Sequence, residues 1–333
     1  MVVIISSSVC LFILEIFSQQ FGIKESYTEK RNGQRQLDVN YVPGEFYPWL
    51  PDSTHSLKNN EFEFVRKTNS LGLSDVEWKL TKDKFRILAL GDSFTEGDGS
   101  PADSTWVALI KQIAENDSVS SEWMNAGICG SDPYYEYQLL KDRLLVYQPD
   151  LVIIAIQDQD FLQDILLKGG SERWERADKT NVSLFEMIYA YSRISRLITE
   201  NMLGYNELLV RSDKASIEKI KNKYIPEVIG LFSDLSSKHH FPVIFVYFPS
   251  RYGIVNGVHQ FGLGKYFVDS ANPGTGLLAY DLLSCYQDYI RQSGKDFNSF
   301  WWSQDGHHNG KGYEMMAHCI YYAINNTRIY NYE

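Results

Sequence analysis

Phe85-Arg-Ile-Leu-Ala-Leu-Gly-Asp-Ser-Phe-Thr-Glu-Gly97 is the stretch whose reading decides the fold. Six mostly apolar residues end in glycine, as a buried parallel strand does where it leaves a sheet. The next residues are polar and glycine-flanked, and Ser93 stands at the strand exit, the edge where open α/β sheets bind ligands. The turn is neither a G-x-S-x-G elbow nor a P-loop, since no Gly-Lys-Ser/Thr follows. Taken alone, Gly-Asp-Ser is equally a plain strand-to-helix turn capped by Asp92 or Ser93.

Working outward, apolar residues at helical spacing predict a helix over 105–115, from Val107, Ala108, Ile110 and Ile113. Residues 123–126 read as a strand and 135–147 as a helix closed by Pro149. Residues 150–156 and 242–248 read as strands rich in β-branched and aromatic residues, 277–283 as a fifth strand, and 312–324 as an amphipathic final helix. Strands alternating with helices imply a parallel sheet covered on both faces. Residues 161–240 are too long for a simple crossover and predict a helical insertion.

Trp302-Ser-Gln-Asp-Gly-His-His-Asn-Gly-Lys-Gly312 is the second stretch that bears chemistry. A serine nucleophile needs a base, and the base needs an acid to orient it. Asp305 with His307 or His308 supplies both from one loop. Asn309, Gly310 and Gly312 suit a turn into the last helix. A polar surface turn is the competing reading, and a metal site lacks a third ligand nearby.

With both stretches in view, the chain resembles the SGNH/GDSL hydrolase superfamily, in particular its membrane-anchored bacterial-type members. Thr68-Asn-Ser-Leu-Gly-Leu73 with the Gly91–Gly97 turn is similar to the family's opening block, Asn125-Ala-Gly-Ile-Cys-Gly130 to its second, and Asp305-Gly-His-His-Asn309 with Gly312 to its last. The blocks fall in the family's order over roughly 68–325. The resemblance implies a three-layer α/β/α sandwich with a mainly parallel, flavodoxin-like sheet. It implies Ser93 as nucleophile, Asp305 as triad acid, and the backbone N–H groups of Ser93 and Gly130 as oxyanion donors. His307 has the H-x-N-x-x-G phase and is preferred as base over His308, which has the D-x-x-H spacing. Asp92, Asp160 and Asn309 stand as supporting residues. The third block departs: Ile156-Gln-Asp-Gln-Asp160 has Gln159 where the family has asparagine, so the oxyanion amide is one methylene longer.

The expected activity is therefore ester hydrolysis, with O-acyl groups, acetyl or another short acyl, on cell-surface glycans or lipids as substrate. An O-acyltransferase with the same triad and a non-catalytic glycan-binding protein are the alternatives. No motif for a cofactor, nucleotide or metal is present. Composition agrees with a folded chain, 44% hydrophobic and 14% aromatic over 333 residues. A net charge of −10 argues against nucleic acid as a partner. Oligomeric state is not legible.

Residues 2–17 are apolar apart from three serines and Glu15, somewhat short of the 20 or so that span a bilayer. An uncleaved anchor over 1–22 is preferred to a cleaved signal peptide or a core helix. Cys10 lies in a poor lipobox, so a lipoprotein reading is set aside. The anchor would tie the enzyme to the membrane with its domain periplasmic or extracellular, although Lys24, Lys30, Arg31 and Arg35 follow the run and favour the opposite orientation. Residues 23–80 read as an extended stalk packing on a domain at 81–330. Of the four cysteines, no pair has metal spacing. A disulfide framework is not expected, and a single Cys285–Cys319 bridge is left open. His55, His239, His240, His259 and His318 have no partner pattern, and Trp301-Trp302 reads equally as core or as pocket lining.

Overall fold

The computed structural model describes residues 49–117, 119–166, 169–171, 213–271 and 277–325, with the isolated positions 15, 16, 192, 194, 195 and 198. The chain divides into two compact units. One comprises Phe46–Gly170 with Ser212–Glu333, and the other Met1–Glu45 with Ser171–Arg211. In the second unit the Glu15 carboxylate accepts hydrogen bonds from the Ser192 hydroxyl at 2.8 Å and the Ile194 N–H at 3.1 Å. Among the described residues no helix is long and apolar enough to cross a membrane. The apolar run 2–17 lies outside them save Glu15 and Ile16.

The first unit opens with a two-stranded antiparallel hairpin, β1 (Thr54–Lys58) and β2 (Glu63–Lys67). Five parallel strands follow: β3 (Phe85–Gly91), β4 (Ser121–Asn125), β5 (Leu151–Ile156), β6 (Val243–Tyr247) and β7 (Leu277–Asp281). Their order in the sheet is β4-β3-β5-β6-β7. Counted from β3 this is the 2-1-3-4-5 order of flavodoxin-like sheets, and the connections diverge between β3 and β5. That divergence opens a crevice at the carboxyl ends of the two strands, where Gly91 is level with Ala155.

Helices connect the strands. They are α1 (Ser93–Glu96), α2 (Trp106–Asn116), α3 (Pro133–Leu139), α4 (Lys214–Lys219), α5 (Ile225–His239), α6 (Arg251–Asn256), α7 (Leu263–Ser270), α8 (Leu283–Ser293) and α9 (Gly310–Asn325). Successive strand side chains point to opposite faces, so each central strand serves two cores. Ile87, Ala89, Ile153, Ala155, Ile244 and Val246 pack with Trp106 and Ile110 of α2, Tyr286 of α8 and Ile320 of α9. On the other face Phe245 meets Phe232 of α5 edge-on at 5.4 Å and Phe267 of α7 at 5.0 Å. The result is the expected three-layer α/β/α sandwich.

Boundaries differ from expectation where capping decides them. The helix expected over 135–147 begins two residues earlier, because Asp132 accepts the Tyr134 and Tyr135 N–H groups and Pro133 suits the first turn. Beyond Leu139 it widens over Leu140–Leu144, tightens over Leu145–Tyr147 and stops at left-handed Gln148. Within the expected insertion at 161–240, residues 214–239 form the crossover helices leading to β6, and most of 172–212 lies outside the described residues. Cys285 of α8 and Cys319 of α9 are joined by a disulfide, the bridge that the spacing left open.

Candidate active site

The β3 strand delivers Asp92 and Ser93 to the crevice. Asp92 caps α1, its Oδ1 accepting the Phe94 N–H at 2.9 Å. Its Oδ2 accepts from Gln157 Nε2 at 2.8 Å, across the switch point. Ser93 is the first residue of α1, so its N–H has no acceptor within the helix. Ser93 Oγ lies 2.7 Å from His307 Nε2, and His307 Nδ1 lies 2.6 Å from Asp305 Oδ1. Serine, imidazole and carboxylate therefore stand in line, although Ser93 and His307 are 214 residues apart in the chain.

The adjacent histidines have different surroundings. Trp301 and His308 form an antiparallel bridge, and neighbours on extended chain face opposite ways. His308 consequently enters the core, fully buried, with its Nε2 3.3 Å from the Tyr286 hydroxyl. Phe94, Trp301 and Tyr313 surround it at 5.0–5.6 Å. Burial, aided by the neighbouring charge of His307, pushes its pKa down to about 3. The structure brings His307 and not His308 to Ser93.

Burial likewise pushes the His307 pKa down, but the hydrogen bond to Asp305 and the charges of Asp98, Asp305 and Asp92 outweigh it and hold the imidazole above its ordinary value. Asp92 is pushed up to about 6, chiefly by burial, against the hydrogen bonds from Phe94 and Gln157. Burial also raises Asp160 and Glu136 well above the usual carboxylate range, helped by other carboxylates nearby.

The loop after β4 supplies Gly130. Ser131 N–H donates to Ile128 O at 2.9 Å, closing a turn with Gly130 at its third position. The φ of +70° there is one that glycine adopts without strain. Gly127 lets this loop lie against the serine turn, since a Cβ there would sit 2.1 Å from Glu96 N. After β5, Asp160 Oδ2 accepts the Gln157 N–H at 2.7 Å. Gln159 Oε1 is buried with no hydrogen-bond partner among the described residues. Asn309 caps α9, its Oδ1 accepting from Lys311 and Gly312 N–H groups, while its amide donates to Ser299 O.

Sequence reasoning missed the supports from the hairpin, whose residues it read as stalk. Arg66 of β2 is buried and reaches Glu96 at 2.6 Å, Asp98 at 3.1 Å and Gly97 O at 3.1 Å. Glu96 in turn accepts from Trp49 Nε1 and from the Cys129 N–H of the Gly130 loop. Trp302 donates to Gly99 O, whereas Trp301 is core. His259 pairs with Asp281 at 2.8 Å and meets Tyr247 edge-on, His55 lies against Trp49, and His318 lies against Tyr289. His239 and His240 are exposed at the end of α5.

No protein-family model matches the chain, and no curated protein matches it. Solved structures similar to it include a two-domain esterase active on acetylated mannans, at 17% identity and a TM-score of 0.44. That match covers 73% of this chain and 50% of the esterase, so the chain spans half of that protein's length. A lipase/acylhydrolase from Enterococcus faecalis matches at 17% identity and a TM-score of 0.43, over 73% of this chain and 96% of that one. An acetyl xylan esterase matches at 14% identity and a TM-score of 0.42, over 72% and 99%.

Proposed function

We propose that this protein is a serine hydrolase of the SGNH/GDSL type that cleaves O-acyl esters. The observation that carries the reading is the hydrogen-bonded line Ser93–His307–Asp305 at the switch point of the sheet. Ser93 Oγ attacks the ester carbonyl carbon as its proton passes to His307 Nε2. Asp305 stabilises the imidazolium through Nδ1–H. The oxyanion receives the N–H groups of Ser93 and Gly130 and the amide of Gln159. Collapse of the tetrahedral intermediate expels the alcohol, which takes the proton from His307 and leaves an acyl-serine. Water, deprotonated by the same imidazole, then releases the acid.

All three members of the line lie within hydrogen-bond reach of one another, which supports catalysis over a decayed binding fold. Short acyl esters on surface glycans or lipids are the proposed substrates. A periplasmic or extracellular setting is proposed from the Cys285–Cys319 bridge, since disulfides persist in oxidising compartments. Membrane attachment through 1–22 belongs to the same proposal.

The test is hydrolysis of p-nitrophenyl acetate, and then of acetylated xylan and mannan, by the full chain beside Ser93→Ala. Turnover that disappears in the variant supports the reading. Equal rates in both proteins sink it. Acyl transfer to an added sugar without release of free acid would replace hydrolysis by the transferase reading.

A further inference from the structure

Glu61 sits in the turn between β1 and β2, and its carboxylate meets three successive N–H groups of the loop that carries the triad acid. Ser303 N donates at 2.7 Å, Gln304 N at 2.9 Å and Asp305 N at 2.8 Å. Successive backbone N–H groups converging on one anion form a nest, and bonds to a charged acceptor are the stronger kind. The hairpin turn is itself held, with Asn59 Oδ1 accepting the Glu61 and Phe62 N–H groups at 2.7 and 2.9 Å. Phe62 also lies against Trp302 at 5.6 Å.

The triad loop has ties of its own at its base. Trp302 N donates to His307 O, Gly306 N donates to Trp302 O, and Trp301 pairs with His308. Glu61 acts further out, on the backbone of 303–305. With its own N–H held from the hairpin side, Asp305 presents its carboxylate to the backbone N–H and Nδ1 of His307. Four residues of hairpin separate the two grips, since Arg66 of the same hairpin, five positions after Glu61, binds Glu96, Gly97 and Asp98 behind Ser93. One hairpin thus holds both halves of a site that the chain order keeps far apart.

We propose that Glu61 is a positioning residue of the triad, setting the Asp305–His307 pair through the backbone of 303–305, so that the hairpin is part of the catalytic apparatus. The proposal rests on the triad reading given above. Glu61 touches neither substrate nor the reacting atoms. Its effect is geometric, and misplacement of catalytic groups by about 1 Å can cost about 10²-fold in rate.

The experiment compares wild type, Glu61→Ala and Glu61→Gln in the full chain. It measures kcat and KM across pH, thermal melting, and the titration of His307 by NMR of its ring C–H, which needs no substrate. His307 faces the charges of Asp305, Asp98 and Asp92. The expected result for Glu61→Ala is a fall in kcat of about 10- to 10²-fold, an unchanged KM, and a His307 titration moved to lower pH as Asp305 loosens. Glu61→Gln, which keeps the size and one acceptor, should fall between the two. Wild-type kcat and an unmoved His307 titration in Glu61→Ala would overturn the proposal. So would a loss of activity that follows lower melting with the titration unmoved. If the full chain hydrolyses no ester but His307 still titrates lower in Glu61→Ala, the positioning stands and the esterase reading falls.

Discussion

The turns that leave β3 and β5 are neighbours at one sheet edge, yet they are held very differently. Around the β3 turn each functional group has a protein partner. Asp92 is bonded by Phe94 and Gln157, Ser93 by His307, and Glu96 and Asp98 by Arg66. In the β5 turn Gln157, Asp158 and Asp160 are likewise tied, with Asp158 bonded by Tyr247 and Gln260. Gln159 between them has a buried Oε1 with no partner among the described residues. An unpaired buried polar atom in a folded protein calls for an explanation. The difference teaches that the groups of the β3 turn are fixed by protein partners before any ligand arrives, whereas the Gln159 carbonyl oxygen is buried without one.

The largest effect should come from the preorganised side. Ser93→Ala removes one oxygen and should lower kcat for p-nitrophenyl acetate by at least about 10⁴-fold with unchanged melting. His307→Ala should do the same. A loss below tenfold in either would break the comparison, because the in-line geometry would then have no catalytic meaning. Arg66→Met is next. It leaves Glu96 and Asp98 buried without their cation, and loss of one partner of a buried ion pair costs about 3–5 kcal/mol. Denaturant unfolding measures it. A loss under about 1 kcal/mol would mean that the β3 turn is held by the sheet and not by the hairpin.

These two predictions also mark what the sequence made legible. Ser93 and the β strands could be read because their signals are local, an apolar run ending at a glycine and a motif of a few residues. Arg66 and Glu61 could not be read, because they are ordinary members of a polar segment among 32 basic and 42 acidic residues. Their roles exist only once the hairpin folds against loops some 30 and 240 residues away. The choice between His307 and His308 lies between these cases. Spacing allowed both, and the alternation set by the Trp301–His308 bridge sends one to Ser93 and the other into the aromatic core. The Cys285–Cys319 bridge was undecided for the same reason, since it depends on α8 lying beside α9.

Gln159 tests the β5 side. If its amide completes the oxyanion site, Gln159→Ala should lower kcat by about 10²-fold with little change in KM. Stability should hardly change, because no hydrogen bond of Oε1 is lost. Gln159→Asn shortens the reach by one methylene and tests placement separately from chemistry. An Ala variant within twofold of wild type would assign the oxyanion to the Ser93 and Gly130 N–H groups and erase the functional contrast between the two turns.

The smallest effect is a displacement in pH, and its sign follows from the charges around His307. The imidazole acts as base only when neutral, so kcat/KM should rise with pH through a limb above the ordinary histidine value of 6.5. His308, pushed down to about 3, contributes no limb near neutrality. Asp92, pushed up to about 6, titrates close by, so the limb belongs to the coupled set and not to His307 alone. Asp305→Asn removes the charge and weakens the hydrogen bond that raise His307, leaving burial to move the limb to lower pH while the plateau falls. Asp92→Asn should move it the same way by less, being a smaller cause of the shift. The same sign governs stability. A histidine raised above its unfolded value contributes stability in full below that value and loses it as pH rises through the folded one. The pH at which His307 becomes a competent base is therefore the pH at which its contribution to folding disappears. A limb at or below 6.5 in wild type would mean that burial prevails over Asp305, and that the β3 side is less preorganised than its hydrogen bonds imply.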